Sequence, residues 1–302
     1  MTPSKDAPRA APLPVRDGVA PSYLWLPEGQ WDNLLCFLLE RFPQVAAADW
    51  IDRMARGEVV TGDGVTLHPG SQFRRGMRVF YYRELAPETP IPFEEQILFQ
   101  DAHLVVVDKP HFLPMIPSGR FLQETLLVRL KKKLGLDDLS PIHRLDRETA
   151  GVVIFSRQQE SRGAYQSLFQ KREVAKVYEA LAAPLAGRVF PFVYRSRMVE
   201  GEPFFRMREV AGEPNSETVV DVIEQRGAST LYRLHPHTGR KHQLRVHMAA
   251  LGVPIINDPF YPVALPCKDD DVSQPLQLLA RAISFTDPLS GEPRQFESRR
   301  TL

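Results

Sequence analysis

One ten-residue segment concentrates the groups most able to do chemistry: Ile142-His143-Arg144-Leu145-Asp146-Arg147-Glu148-Thr149-Ala150-Gly151, running straight into the apolar stretch 152–155. Its carboxylate, Asp146, is flanked by Arg144 and Arg147, and the segment closes on a glycine before a strand-like run, where loops display functional groups beside a rigid scaffold. Opposite charge within about 4–6 Å lowers a carboxylate's pKa by roughly 1–3 units. The two arginines would therefore hold Asp146 ionised, as a nucleophile or a proton acceptor must be. On charge composition alone, the same residues read more often as a surface ion-pair cluster.

Other chemistries fit less well. His143, His242 and His247 are metal ligands by type, but His242 and His247 lie five apart and would point about 140° from each other on a helix. Structural hydrogen bonding or phosphate contact is the expectation for them, and no metal or cofactor is expected. A carboxylate glycosidase would need a second acid about 5–10 Å from the first, and no motif offers one. Lys109 and the basic run Arg129, Lys131, Lys132, Lys133 are candidate contacts for an RNA backbone, though such clusters are more often solvated faces.

The elements that must position these residues follow from length and pattern. The chain has 302 residues, 43% hydrophobic and 25% charged, enough for about two globular domains. Thirty-eight basic against 37 acidic side chains leave a net charge of +1, so a nucleic-acid site must be a local patch. Two cysteines, Cys36 and Cys267, exclude a disulfide framework and suggest a reducing, cytoplasmic setting. No run approaches the roughly 20 apolar residues of a membrane span, and a monomer is expected. Residues 1–22, rich in proline and alanine without an apolar core, read as a flexible arm. Residues 23–85 read as a small domain. Trp31, Leu34, Leu35, Leu38 and Leu39 recur at helical spacing, a second amphipathic stretch spans 46–56 before Gly57, and strands fall at 59–60, 65–67 and 79–82. A proline-rich linker, 86–92, leads to the second domain, 93–302. There, strand-like runs at 104–107, 152–155, 177–181, 219–223 and 231–234 outnumber helical stretches at 122–134 and 161–172. The expected class is α+β, with a mixed, mostly antiparallel sheet.

Several motifs in this order resemble known families. Gly57-Glu58-Val59-Val60, Asp63-Gly64 and Gly76-Met77-Arg78-Val79, after two helices, resemble the small S4-type RNA-binding domain. The second helix, with Ala46-Ala47-Ala48-Asp49, lacks the basic residues such domains usually carry. In the second domain, His143-Arg144-Leu145-Asp146 with Thr149 and Gly151 is similar to the signature of the RluA-type RNA pseudouridine synthases. Asp108-Lys109-Pro110, Lys176-Val177-Tyr178, Thr238-Gly239-Arg240-Lys241-His242-Gln243-Leu244-Arg245-Val246-His247, and Gly252-Val253-Pro254-Ile255 with Asp258 and Tyr261 extend the resemblance over 104–261. Departures are Ala150 for a more usual Ser, Asn257 where Gly usually precedes the Asp, and His111-Phe112-Leu113-Pro114 in place of a glycine after Lys-Pro.

The resemblance implies isomerisation of uridine to pseudouridine in ribosomal or transfer RNA, without cofactor. It implies Asp146 as the catalytic aspartate, Arg245 as its ion-pair partner, and Tyr178 as the ring packing on the uracil. Leu244 would line the same pocket, Arg144 would fill the space left by the flipped uridine, and His143 and Lys109 would lie on the substrate side. A catalytically silent RNA-binding or ribosome-assembly protein keeping the fold is the alternative; a binding module would have no need of the trio Asp146, Tyr178 and Arg245.

Overall fold

In the computed structural model, which describes residues 11–84, 88–265 and 271–302, the chain divides after Glu88 into two units. The first comprises β1 (Ser22–Trp25), α1 (Leu34–Arg41), α2 (Ala47–Ala55), β2 (Val59–Thr61) and β3 (Arg78–Tyr81). Asn33 starts α1 because its carboxamide oxygen accepts from the Cys36 N–H at 2.9 Å. Gly57, at φ 71°, lets the chain turn out of α2. The helices bury Leu34, Leu38, Trp50 and Met54 against Val59 and Val79, and the strands pair antiparallel in the order β1-β3-β2. Residues 65–67 make only an isolated bridge, Val60 with Thr66, rather than the expected strand.

Of the expected flexible arm, residues 1–10 lie outside the described ones. The remainder is fastened to the small unit and its last residue already belongs to β1. The Arg16 guanidinium lies 3.8 Å over the Tyr82 ring and pairs with Glu58, and the Tyr82 hydroxyl donates to the Pro14 carbonyl at 2.7 Å. Cation–π attraction and two hydrogen bonds give this segment partners that its composition does not reveal. Ala86 and Pro87 of the expected linker also fall outside the described residues.

The second unit runs β4 (Gln96–Gln100), β5 (Leu104–Lys109), α3 (Leu126–Leu134), β6 (Ser140–Pro141), β7 (Ala150–Ser156), α4 (Gln159–Lys171), β8 (Ala175–Ala182), β9 (Phe192–Glu200), β10 (Met207–Val210), β11 (Ser216–Arg226), β12 (Ser229–Pro236), α5 (Gln243–Ala250), β13 (Leu278–Thr286) and β14 (Pro293–Glu297). An 11-stranded sheet orders them β10-β9-β11-β12-β8-β13-β7-β5-β4, with β14 on β13 and β6 on β7. All pairings are antiparallel except β13 with β7, so the unit is α+β with the mixed sheet expected. One core packs Val105, Val107, Val153 and Phe155 against Leu126 and Leu130 of α3. Another packs Ala180, Tyr232 and Leu234 against Leu244 and Met248 of α5. Tyr178 touches both cores.

The parallel crossing is possible because of Gly151. It sits at φ 116°, and a Cβ there would stand 2.2 Å from the Ala280 carbonyl oxygen. A residue without a side chain lets β13 close on β7 directly after the Asp146 segment.

Candidate active site

The Asp146 segment is laced from beneath to the loop that follows β5. Lys109, at the end of that strand, is wholly buried, and its Nζ donates to the carbonyls of Leu113 (2.8 Å), Pro110 (2.9 Å) and Arg147 (3.0 Å). Arg147 Nε returns a hydrogen bond to the Phe112 carbonyl at 3.1 Å, and the His111 ring meets the Glu148 carbonyl at 2.6 Å. The expectation that Lys109 contacts RNA is therefore corrected. Its ammonium points into the protein, where burial pushes its pKa down to about 7, and its three protons match three carbonyl acceptors. Phe112, in the stretch that departs from the family pattern, takes φ 64°. Asn257 does the same at φ 62°, a conformation Asn tolerates better than most residues.

Asp146 meets Arg245 from α5. Arg245 is 1% exposed and grips the fully buried Asp258 carboxylate through Nε (2.8 Å) and Nη2 (2.7 Å). Its Nη1 donates to Asp146 Oδ2 at 3.0 Å and lies 3.8 Å from Glu148 Oε2. Burial opposes the guanidinium's charge, but its hydrogen bonds to Asp258 and the charges of Asp258, Asp146 and Glu148 raise its pKa above the ordinary value. The bidentate fork fixes the guanidinium plane, so Asp146 is held through Oδ2 alone. Oδ1 accepts no hydrogen bond among the described residues. Asp258 also receives the N–H groups of Phe260 (2.8 Å) and Tyr261 (3.2 Å), tying that loop to the same clamp. Its place in the motif was visible in the sequence; its role was not.

His242 precedes α5 at φ 56°, and its Nε2 lies 3.8 Å from Asp146 Oδ2. The Tyr261 hydroxyl oxygen accepts from the Met207 N–H at 2.8 Å and sits 2.9 Å from His242 Nδ1. The hydroxyl proton is thus directed to Nδ1, leaving the imidazole proton on Nε2, towards Asp146. Burial pushes the His242 pKa down to about 4, so the ring is neutral at neutral pH.

These groups line a cavity of about 640 Å³ shared by His143, Arg144, Asp146, Tyr178, Leu244 and Arg245. Asp146 is its one carboxylate among the described residues, 28% exposed. Burial and the charge of Asp146 raise the Tyr178 pKa, keeping its hydroxyl protonated. Leu244 faces the cavity on one side and the α5 core on the other. Arg144 is exposed at the rim and forms no hydrogen bond or ion pair among the described residues. Glu148, four residues on, turns to Arg245.

His143 lines the cavity as well. Its Nε2 accepts from the Ile154 N–H at 3.1 Å and its ring stacks on Phe169 at 4.7 Å. Burial, then the nearby Lys176 charge, push its pKa down to about 3. The ring forms part of the cavity wall, and its acceptor nitrogen is taken by the backbone of β7. His247 is committed too, with Nε2 at 2.9 Å from Ser216 Oγ and Nδ1 at 3.0 Å from Thr218 Oγ1. Among the described residues no three His, Cys, Asp or Glu side chains form a metal site. The basic stretch of α3 does not line the cavity. Arg129 donates to the carbonyls of Ile91 and Phe93, both at 2.7 Å, and pairs with Glu124 and Glu95, and Lys133 also reaches Glu95. Those charges stabilise their own corner of the fold.

Residues 103–250 match the family model described as RNA pseudouridylate synthase. Over 209 residues the chain is 33% identical to the dual-specificity RNA pseudouridine synthase RluA of Haemophilus influenzae, covering 67% of this chain and 92% of that protein. It is 28% identical over 282 residues to ribosomal large subunit pseudouridine synthase D of Xanthomonas campestris, covering 87% and 83% respectively. The structure of human RNA pseudouridylate synthase domain containing 4 superposes at TM-score 0.52 with 28% identity, covering 67% of this chain and 87% of that one. An ordered set of motifs, a sheet of the same architecture and a relative matched over nearly its whole length converge: the chain belongs to the RluA-type family of RNA pseudouridine synthases, enzymes that isomerise uridine to pseudouridine.

Proposed function

We propose that Asp146 is the group that opens and remakes the glycosidic bond of a uridine flipped into the cavity, in ribosomal or transfer RNA. The observation that carries this reading is the asymmetric grip on Asp146. Arg245 holds Oδ2 at 3.0 Å while Oδ1 is left without a donor among the described residues. An anchored carboxylate with one free oxygen can attack C1′ or accept the 2′ proton to give a glycal. Either route lets N1 leave as the uracil anion, which turns and rejoins C1′ through C5 as Asp146 is displaced from C1′ or returns its proton to C2′; the C5 proton is then lost and N1 regains one. Tyr178 supplies a ring for the uracil, and because its hydroxyl stays protonated it serves as a donor rather than as the base for C5. Leu244 completes the apolar wall. Arg144, exposed and unpaired, is the planar cation suited to stack in the gap left by the extruded base. In the first unit, the helix pair and three-stranded sheet support an S4-like accessory role on RNA, with a modest share of the affinity because α2 opens on alanines.

The test is Asp146→Asn, in which the amide can neither attack nor accept the proton. Pseudouridine mapping of ribosomal and transfer RNA from cells carrying the variant, and tritium release from C5-labelled RNA in vitro, should both show less than about 1% of wild-type product, a barrier increase of at least about 2.7 kcal/mol. Turnover of even a few per cent would remove Asp146 from the mechanism.

A further inference from the structure

Beside the catalytic cavity lies a second cleft of about 880 Å³, at the start of β8 and β11 and the end of β12. The two share Arg172, Lys176, Asn215, His237 and Thr238 in their walls, so Lys176 stands on the sill between them. Its Nζ donates to the Thr238 carbonyl at 3.3 Å, and among the described residues no carboxylate pairs with it. Arg172 is equally without a carboxylate partner. It occupies a position that usually favours glycine, the left-handed residue closing α4 at φ 62°, which plants an exposed arginine at the start of β8.

Two neighbouring cations without a counter-charge repel each other. Burial and then Arg172 both push the Lys176 pKa down, so an anion between them would relieve a cost already present in the fold. Other charges in the cleft do not supply it. Glu217 is taken by Arg195 at 2.6 Å, and Glu173 is exposed and has no ion pair among the described residues.

We propose that Lys176 and Arg172 form a seat for one phosphate of the RNA backbone, over which the strand leaves the catalytic cavity and enters the second cleft. The inference rests on the reading of this cavity as the uridine site and adds where the flanking strand runs. Lys176 shares a strand with Tyr178, two residues away. A phosphate fixed by Lys176 would set the reach of the nucleotide whose base lies on Tyr178.

The probe is bulk transfer RNA, with binding to the full-length protein measured between 50 and 300 mM salt. Lys176→Gln and Arg172→Gln should each raise Kd about five- to tenfold and reduce the magnitude of the log Kd against log salt slope by about one, the signature of one lost phosphate contact. Because both cations serve one phosphate, the double variant should lose about one from the slope, not two. Arg172 is exposed, so its variant separates the seat from any folding effect of the Lys176 change. A second arm uses a synthetic hairpin around a uridine that the wild type modifies, with single uncharged methylphosphonates at, before and after that nucleotide. One position should weaken the wild type and leave Lys176→Gln unaffected, and that position identifies the phosphate. Unchanged slopes in both single variants, or a slope loss of two in the double, would overturn the single seat. Absence of pseudouridine from every RNA tested would defeat the enzyme reading instead, and the slopes on bulk RNA would still decide the seat.

Discussion

Removing Asp258 tests whether Arg245 is a clamped or a merely neighbouring cation. Asp258→Ala deletes both charge-assisted hydrogen bonds at 2.7 and 2.8 Å and leaves a guanidinium 1% exposed. Its remaining partners would be one oxygen of Asp146 at 3.0 Å and Glu148 at 3.8 Å. Breaking one side of a buried pair costs about 3–5 kcal/mol, because the survivor keeps its desolvation penalty without its counter-charge. In a unit of this size each kcal/mol moves Tm by about 2–4 °C, so the variant should melt about 6–20 °C lower. The backbone N–H groups of Phe260 and Tyr261 lose their acceptor as well, which places the effect towards the upper end. Calorimetry and urea titration give the stability; tritium release at a temperature where the variant is folded gives the activity. That activity should fall, because an unclamped Arg245 can swing onto both oxygens of Asp146. The double change Arg245→Met with Asp258→Leu should recover much of the stability and none of the activity, since an apolar pair of similar volume avoids the buried charges. A loss below about 1 kcal/mol in Asp258→Ala would show that Arg245 finds other partners and that the clamp does not hold the site.

Three further outcomes follow from single observations. Gly151→Ala should cost more than about 3 kcal/mol or prevent folding, because its Cβ meets the Ala280 carbonyl at 2.2 Å and its φ is 116°; a soluble variant with wild-type Tm contradicts this. Burial holds His143 at about 3 and His111, His242 and His247 at about 4 in the folded chain. The unfolded chain, with histidines near 6.5, then binds more protons at lower pH, so their contribution is complete above about pH 6.5. It should fall towards pH 4 by up to about 1.4 kcal/mol per histidine per pH unit; urea titrations at pH 7, 6 and 5 giving equal stabilities would refute it. Arg144→Ala should leave Tm unchanged within about 0.5 kcal/mol of stability and bind RNA with near-normal affinity while slowing single-turnover isomerisation, whereas a pure affinity loss would make Arg144 a phosphate contact.

What could be read in advance was whatever pattern or motif marks locally. The strands β5, β7 and β8 announce themselves as apolar runs, and Asp146, Tyr178 and Arg245 stand in ordered motifs that the fold brings around one cavity. Less legible were the half-exposed strands. β9 alternates Tyr194, Arg195, Ser196 and Arg197 with no apolar run, and it forms because β11 and β10 pair with it on either side. Lys109 illustrates a different limit. Residue type suggested a hand for RNA, yet direction within the fold decides, and Lys109 faces three carbonyls. The left-handed residues Phe112 and Asn257 show the converse. Both take the left-handed conformation without being glycine, in the turns that carry the Lys109 cradle and the Asp258 clamp.

A net charge near zero and a polyanionic substrate are compatible here because the cations are distributed unequally between two tasks. Away from the cavity, arginines meet carboxylates: Arg281 with Glu179 at 2.6 Å, Arg294 with Asp287 at 3.3 Å, Arg300 with Asp108 at 3.4 Å, and Arg129 with Glu95 and Glu124. These pairs cancel one another's fields within a few ångströms and carry no attraction for RNA. Around the cavity the balance reverses: Arg144, Arg172, Lys176, Arg240 and Lys241 line it, and none of them forms an ion pair among the described residues. The one carboxylate lining it among the described residues, Asp146, shares the Arg245 guanidinium with Asp258 and Glu148. The mouth therefore carries an excess of unpaired cations, although the whole chain is almost neutral. A phosphate backbone approaching Asp146 therefore finds its counter-charges in these unpaired side chains rather than in Arg245, which the carboxylates already occupy.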